Sequence, residues 1–176
     1  TLCAISGAVT MTMISSTSVS RQGPNFAQDR LYPLEANQFV RAKLLFHLLL
    51  AGTANLLYLS GALILLNRGL ASLIWMAPLS ILSIAAVSSF QLAIDYHNPN
   101  EEWTLAQHAM KSNPNGLFGL LVALAWIVVA ALFLIVLPLL GVSPLLSRLL
   151  ALLIAALCLL FGYRVAVSQA SSALSR

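Results

Sequence analysis

The chain has 176 residues, 60% of them hydrophobic and 8% charged, with a formal net charge of +4 and a mean hydropathy of +0.91. A soluble domain carries roughly 25% charged residues, so a water-soluble monomer is excluded, and the length reads as capacity to cross lipid at about 20 apolar residues per span. Nine Lys and Arg scattered over such a chain do not make a nucleic-acid surface; near membrane ends they report orientation.

The first 40 residues read as a polar surface segment. Residues 1–14 are uncharged and too short to cross a bilayer, 10–20 are rich in Ser and Thr, and the first acidic residue is Asp29. A processed start, a truncated helix or an acid-poor targeting stretch all fit that pattern. Residues 21–40, with Pro24 and Pro33, are expected to lie extended on the membrane surface.

Four apolar runs follow, over 44–66, 70–94, 117–140 and 145–167. At 1.5 Å per residue each is at least about 34 Å long, enough to span. Helix is the only conformation that satisfies the backbone of a lone span in lipid. Asn67-Arg68-Gly69 is a minimal turn between the first two runs, and Pro138, Gly141 and Pro144 break the third from the fourth. The fold expected is therefore all-α, an integral membrane protein with four transmembrane helices in two antiparallel hairpins, over 41–94 and 117–176. Between them, 95–116 is a polar loop whose residues 100–111 read as a short interfacial helix. Asn100 caps it, Glu101 and Glu102 suit its first turn and Lys111 its last, and Trp103 anchors it in the headgroups. Counting basic residues, Arg21, Arg30, Arg41, Lys43, Lys111, Arg164 and Arg176 fall on one side and Arg68 and Arg148 on the other. That asymmetry predicts both termini on the cytoplasmic side or its organellar equivalent.

Several mechanisms are excluded on residue content. A proton-coupled exporter needs a carboxylate inside a run, a voltage sensor needs regularly spaced arginines, and a thiol–disulfide enzyme needs paired cysteines. Cys3 and Cys158 sit in a terminal segment and deep in an apolar run. His47 is the only histidine inside a run, which leaves no second axial ligand for a haem and no marked serine nucleophile beside it.

One polar neighbourhood remains. With the first turn centred on Arg68, positions summing to about 136 lie at equal depth, which brings His47 level with Ser89, and Gln91 and Asp95 just beyond. Tyr163 and Arg164 reach the same end from the fourth helix. His47, Ser88, Gln91, Asp95, Tyr163 and Arg164 are thus candidates for a quinone or pigment headgroup site or a permeation mouth, against the plainer reading of interfacial side chains that snorkel to the headgroups. In that plainer reading His47 reaches the headgroups or Ser88 and Ser89, and Arg164 snorkels outward or pairs with Asp95. His97 and His108, with Glu101 and Glu102, have the residue types of a metal site but not its spacing; a solvated loop is the better reading. Asn55, in mid-run, is expected to hydrogen-bond between helices.

Small residues recur at four-residue spacing: Ala85 and Ser89, Gly119 and Ala123, Ala151 and Ala155, and Gly162, Ala166 and Ala170. Such stripes let helices approach closely in lipid, and a bulky residue at Gly162 is expected to weaken association with a partner. The function expected is a non-catalytic transmembrane subunit that scaffolds, assembles or stabilises a larger membrane complex. Its partners would be the lipid bilayer and other membrane subunits or a second copy, and no cofactor is assigned. The alternatives are a small channel, carrier or permeability factor, and a cofactor- or quinone-associated subunit of an electron-transfer complex.

Overall fold

The computed structural model describes residues 11–65, 72–100 and 113–175. Two 3-10 segments, Met11–Thr17 and Ser20–Asn25, lead into a single helical turn, α1 (Phe26–Asp29). Four long helices follow: α2 (Ala36–Leu65), α3 (Leu73–His97), α4 (Pro114–Leu139) and α5 (Pro144–Leu174). Each of these four is long and apolar enough to cross a membrane, so the protein is a multi-pass, all-helical membrane protein. The described residues contain no strand. The turn at Arg68, the helix expected over 100–111 (Asn100 apart), Trp103 and His108 lie outside the described residues.

Local chemistry explains where the helices begin and end. Asn113 caps α4 by accepting from the Asn115 N–H at 2.9 Å, with Pro114 in the first turn. Ser143 caps α5 by accepting from the Leu146 N–H at 3.3 Å, with Pro144 in the same place. Proline suits that position because the first helical N–H groups have no intrahelical partner. Gly141, at φ 90°, makes the left-handed turn between the two helices, and the Val142 N–H returns to the Leu137 carbonyl at 3.1 Å. A π turn over Leu132–Val136 interrupts α4.

Helix α3 is the centre of the bundle. Half of its most apolar window is buried inside the protein, against 22%, 17% and 22% for α2, α4 and α5. It packs on all three of the others, most extensively on α5. Against α2, residue numbers rise along one helix as they fall along the other: Leu44 shares a cluster with Leu92, Ala51 packs on Ile84, and Asn55 Nδ2 donates to Ser80 Oγ at 2.7 Å. Replacing Asn55 by Leu removes one hydrogen bond inside the bundle. Double-mutant cycles within membranes place such bonds at about 0.6 kcal/mol, reaching about 1.7, so a loss of about 1 kcal/mol is expected in reversible unfolding from mixed micelles.

All nine small residues of the four-residue stripes are buried within this one chain. Gly162 is the tightest point. A Cβ there would overlap Ser89 Oγ and sit 3.1 Å and 3.2 Å from Phe90 ring carbons. The stripe of Gly162, Ala166 and Ala170 therefore serves the contact of α5 with α3, and the expected effect of a bulky Gly162 substitution moves from partner association to the fold itself. Ala123, Trp126 and Ala130 of α4 meet Ala151 and Ala155 of α5 in a second cluster, together with Leu79 and Val87 of α3.

Residues 14–29 differ from the surface segment expected over 1–40. Ser15, Ser16, Val19, Ser20 and Phe26 have no exposed surface, and Val19 and Phe26 join a core cluster with Val40, Leu44, Leu92 and Tyr96. The segment forms a strap packed against α2, α3 and α4. Gly23, at φ 54°, kinks the backbone within Ser20–Asn25. Short 3-10 turns replace extended chain because backbone groups near lipid must be bonded within the protein.

Candidate functional site

The polar side chains that sequence alone places near one end of the bundle separate into two groups in the structure. The larger group is built around Asp95, near the end of α3, where the strap meets the starts of α2 and α4. Its carboxylate is 0% exposed. It accepts from the backbone N–H groups of Val19 at 2.5 Å and Ser20 at 3.2 Å, from Ser20 Oγ at 2.5 Å and from Asn115 Nδ2 at 2.9 Å. Three of those four donors belong to the strap. Asn115 also donates to the Asn98 carbonyl at 2.8 Å, and the Asn100 N–H donates to Ser20 Oγ at 3.0 Å. A buried carboxylate without such donors would be costly; here hydrogen bonds satisfy it, and among the described residues no side-chain cation is in direct contact with it.

The carbonyls of the strap are met by cations. Arg21 donates from its terminal guanidinium nitrogen to the Ile14 carbonyl at 2.9 Å and from Nε to the Thr17 carbonyl at 3.3 Å. Lys43 Nζ, on α2, donates to Gln22 Oε1 at 3.1 Å and to the Ser18 carbonyl at 3.4 Å. Burial lowers the Arg21 pKa and the charge of Asp95 opposes that shift; an arginine remains protonated throughout. An irregular backbone is thus neutralised by one anion on its N–H side and two cations on its carbonyl side.

Deeper in the groove, Ser15 Oγ and His47 Nδ1 share a hydrogen bond at 2.9 Å. Gln91 Nε2 donates to the Gly119 carbonyl at 2.9 Å. Ser16 rests where Gly119 has no side chain: a Cβ there would overlap the Ser16 Cβ and lie 2.6 Å from its Oγ. Gly119→Ala is therefore expected to displace the strap at a cost of about 1–3 kcal/mol. Limited proteolysis should read this as at least a roughly tenfold faster cut within residues 14–29, with α2–α5 still protected. Unchanged cleavage would contradict the packing at Gly119.

His47 thus turns inward to the strap, in place of the headgroups or Ser88 and Ser89. Ser15 and His47 have the residue types of a nucleophile and its base, yet both are buried and the strap closes over them. Ser88 Oγ and Gln91 Oε1 are buried without a partner among the described residues. Of the two placements expected for Arg164, pairing with Asp95 does not occur: Asp95 meets the strap and Asn115, and Arg164 is exposed. Tyr163 belongs to a second, separate group: its hydroxyl donates to Asn37 Oδ1 and accepts from Arg41 Nε at 3.1 Å, tying the start of α2 to α5. His97 Nδ1 pairs with Gln169 Oε1 at 3.1 Å. No group of three His, Cys, Asp or Glu side chains that could hold a metal occurs among the described residues.

Sequence reasoning missed Ser15, Ser16, Val19, Ser20, Asn98 and Asn115. The available signal was the density of hydroxyl residues over 15–20 beside a stretch too short to span, and the asparagine pair around Pro114. Comparison of the chain with protein-family models, curated proteins and solved structures gives no match.

Proposed function

We propose that this chain is a non-catalytic transmembrane subunit that scaffolds or stabilises a larger membrane assembly. The observation that supports this reading is how its principal buried polar groups are engaged. Asp95 and His47 are bonded to other residues of the chain, as are the amide nitrogens of Asn55 and Gln91. These bonds hold the strap and the helices together. The outer faces of α2, α4 and α5 are left for lipid and neighbouring chains. The proposed arrangement is two antiparallel hairpins joined through an interfacial segment, with both termini on the cytoplasmic side by the count of basic residues.

Native mass spectrometry of the gently solubilised protein tests the reading. Further membrane chains at fixed stoichiometry are expected. Tryptophan placed on the exposed face of α5, at Leu153 or Leu157, should reduce their recovery at least about threefold; lipid tolerates such a residue and a packed interface does not. A chain that travels alone and moves a solute across reconstituted vesicles overturns the proposal in favour of a carrier.

A further inference from the structure

We propose that the seam between α2 and α5, at the end of the bundle that carries the strap, holds one anionic phospholipid. Its phosphate rests on Arg41 and Arg164 beside Tyr163, and an acyl chain follows the seam past Gly52. The occupant is a lipid whichever chains co-purify, so this site stands independently of the assembly reading.

The first support is which cations this end leaves unengaged. Arg21 and Lys43 are bonded to strap carbonyls and Gln22, and the Arg30 guanidinium lies 5.4 Å from the centre of the Phe26 ring. Arg41 and Arg164 are exposed, and neither guanidinium meets a carboxylate among the described residues. The described acids are committed or turned away. Asp95 is enclosed by the strap and Asn115, and Asp29 accepts from Gln22 Nε2 at 3.0 Å. Glu35 precedes Arg41 by six residues, which is about 9 Å along a helix axis and on another side of it. Two guanidiniums without an internal counter-ion fit a phosphate, whose oxygens match the planar arginine fork.

The second support is that the pair is held in place. The Tyr163 hydroxyl donates to Asn37 Oδ1 and accepts from Arg41 Nε at 3.1 Å. That chain of bonds fixes the Arg41 stem and leaves its two terminal nitrogens for a ligand. It also sets the depth. Arg41 is level with Tyr163, so Arg164, the next residue, stands at the same height on the adjacent helix. Tyrosine and arginine together at the ends of apolar runs mark the headgroup layer.

The third support is the apolar seam that leads away from the pair. Leu45, one turn beyond Arg41, and Leu160, one turn before Arg164, are 59% and 61% exposed. Gly52 lies eleven residues past Arg41, on the same stripe and about 16 Å deeper. Nothing outside the local helix backbone lies within 4 Å of where its Cβ would sit. On α5, Ala156 lies on the Tyr163 stripe, two turns toward the membrane centre, so both helices carry small residues along the seam. One leaflet of hydrocarbon is about 15 Å deep, half the core of the bilayer, so the open space over Gly52 falls within reach of an acyl chain whose phosphate sits on Arg41. Basic pockets between membrane helices recognise acidic headgroups in this way. A soluble anion would use the guanidiniums and leave Gly52 without a part.

The test is native mass spectrometry of the full chain, freed of co-purified lipid in neutral detergent. It is titrated with phosphatidylglycerol or with phosphatidylcholine of the same acyl chains. One phosphatidylglycerol is expected to bind at least about tenfold more tightly than phosphatidylcholine. Arg41→Gln with Arg164→Gln should remove that preference, whereas Arg148→Gln, at the opposite end, should keep it. Tyr163→Phe leaves both charges and frees the Arg41 side chain, and should weaken binding about threefold. Gly52→Leu fills the open space and should weaken binding about threefold without lowering the unfolding midpoint. Equal binding of the two lipids, or an equal loss in Arg148→Gln, overturns the proposal. Competition by glycerol phosphate at the lipid's own affinity, with Gly52→Leu unchanged, reduces the site to an anion site and overturns it too. A lipid-free species of twice the chain mass that disappears in the double arginine variant assigns the seam to a second copy instead.

Discussion

Asp95→Ala is expected to release residues 14–29 while leaving α2–α5 inserted. The substitution removes the acceptor for two backbone N–H groups, one hydroxyl and one amide, all in a place where the carboxylate is fully buried. A hydrogen bond to a charged group contributes about 1.5–3 kcal/mol, and donors left unsatisfied add their own desolvation cost. Not all of this is lost, because water enters when the strap lifts. A net loss of about 3 kcal/mol is a reasonable scale, or roughly a hundredfold in the closing equilibrium. Amide hydrogen exchange in nanodiscs should show protection over 14–29 falling by about that factor, with α3 and α5 changing little. Asp95→Asn should fall between the two, since one amide oxygen still accepts while its nitrogen faces other donors. Equal protection in Asp95→Ala and the native chain would show that the apolar contacts of Val19 and Phe26 hold the strap unaided.

The second large effect is expected at Gly162. Leucine there drives a side chain into Ser89 and the Phe90 ring, on the contact between α3 and α5. Extra methylenes forced into a packed interior cost typically about 1–3 kcal/mol, occasionally more. Leucine adds a whole branched side chain, so about 3 kcal/mol or more is expected, seen as a lowered midpoint in mixed-micelle unfolding. Alanine adds only the overlapping Cβ and gains helix propensity of about 1 kcal/mol, so it should lose about half as much. A stable Gly162→Leu chain would mean that α5 can move off α3 without loss, which the close approach at that point contradicts.

The four spans were legible because each is a long apolar run and lipid leaves the backbone no alternative. What those runs do to one another was less legible. The polar residues of α3, Ser80, Ser83, Ser88 and Gln91, look like interruptions of an apolar run, yet they mark the helix that the others surround. Equal depth put Asn55 level with Ile81 and Leu82, and the structure bonds it to the adjacent Ser80, because α2 and α3 touch along their length. Arg164 was placed at the same end as Asp95, either paired with it or snorkelling outward, and sharing an end did not decide between them, because depth says nothing about which side of a helix a residue occupies. The stripe at Gly162 was visible as spacing, whereas its partner, Ser89 and Phe90 of the same chain, is a property of packing. The strap was hidden most completely. Its serines carry no apolar period, and the acceptor that holds them lies 75 residues further along.

That separation has a consequence for how the protein is made. The strap is synthesised before any part of its groove. Asp95 follows Ser20 by 75 residues, and the Gly119 on which Ser16 rests comes later still. At roughly 5–20 residues per second of translation, the hydroxyl-rich segment waits on the order of 4–15 seconds before Asp95 has been added. During that interval its N–H and carbonyl groups must be satisfied by water, which suits the polar composition of 15–20 and keeps the segment out of the bilayer. Docking of the strap is then a late step of biogenesis, completed only after α3 has inserted and the first turn of α4 has formed.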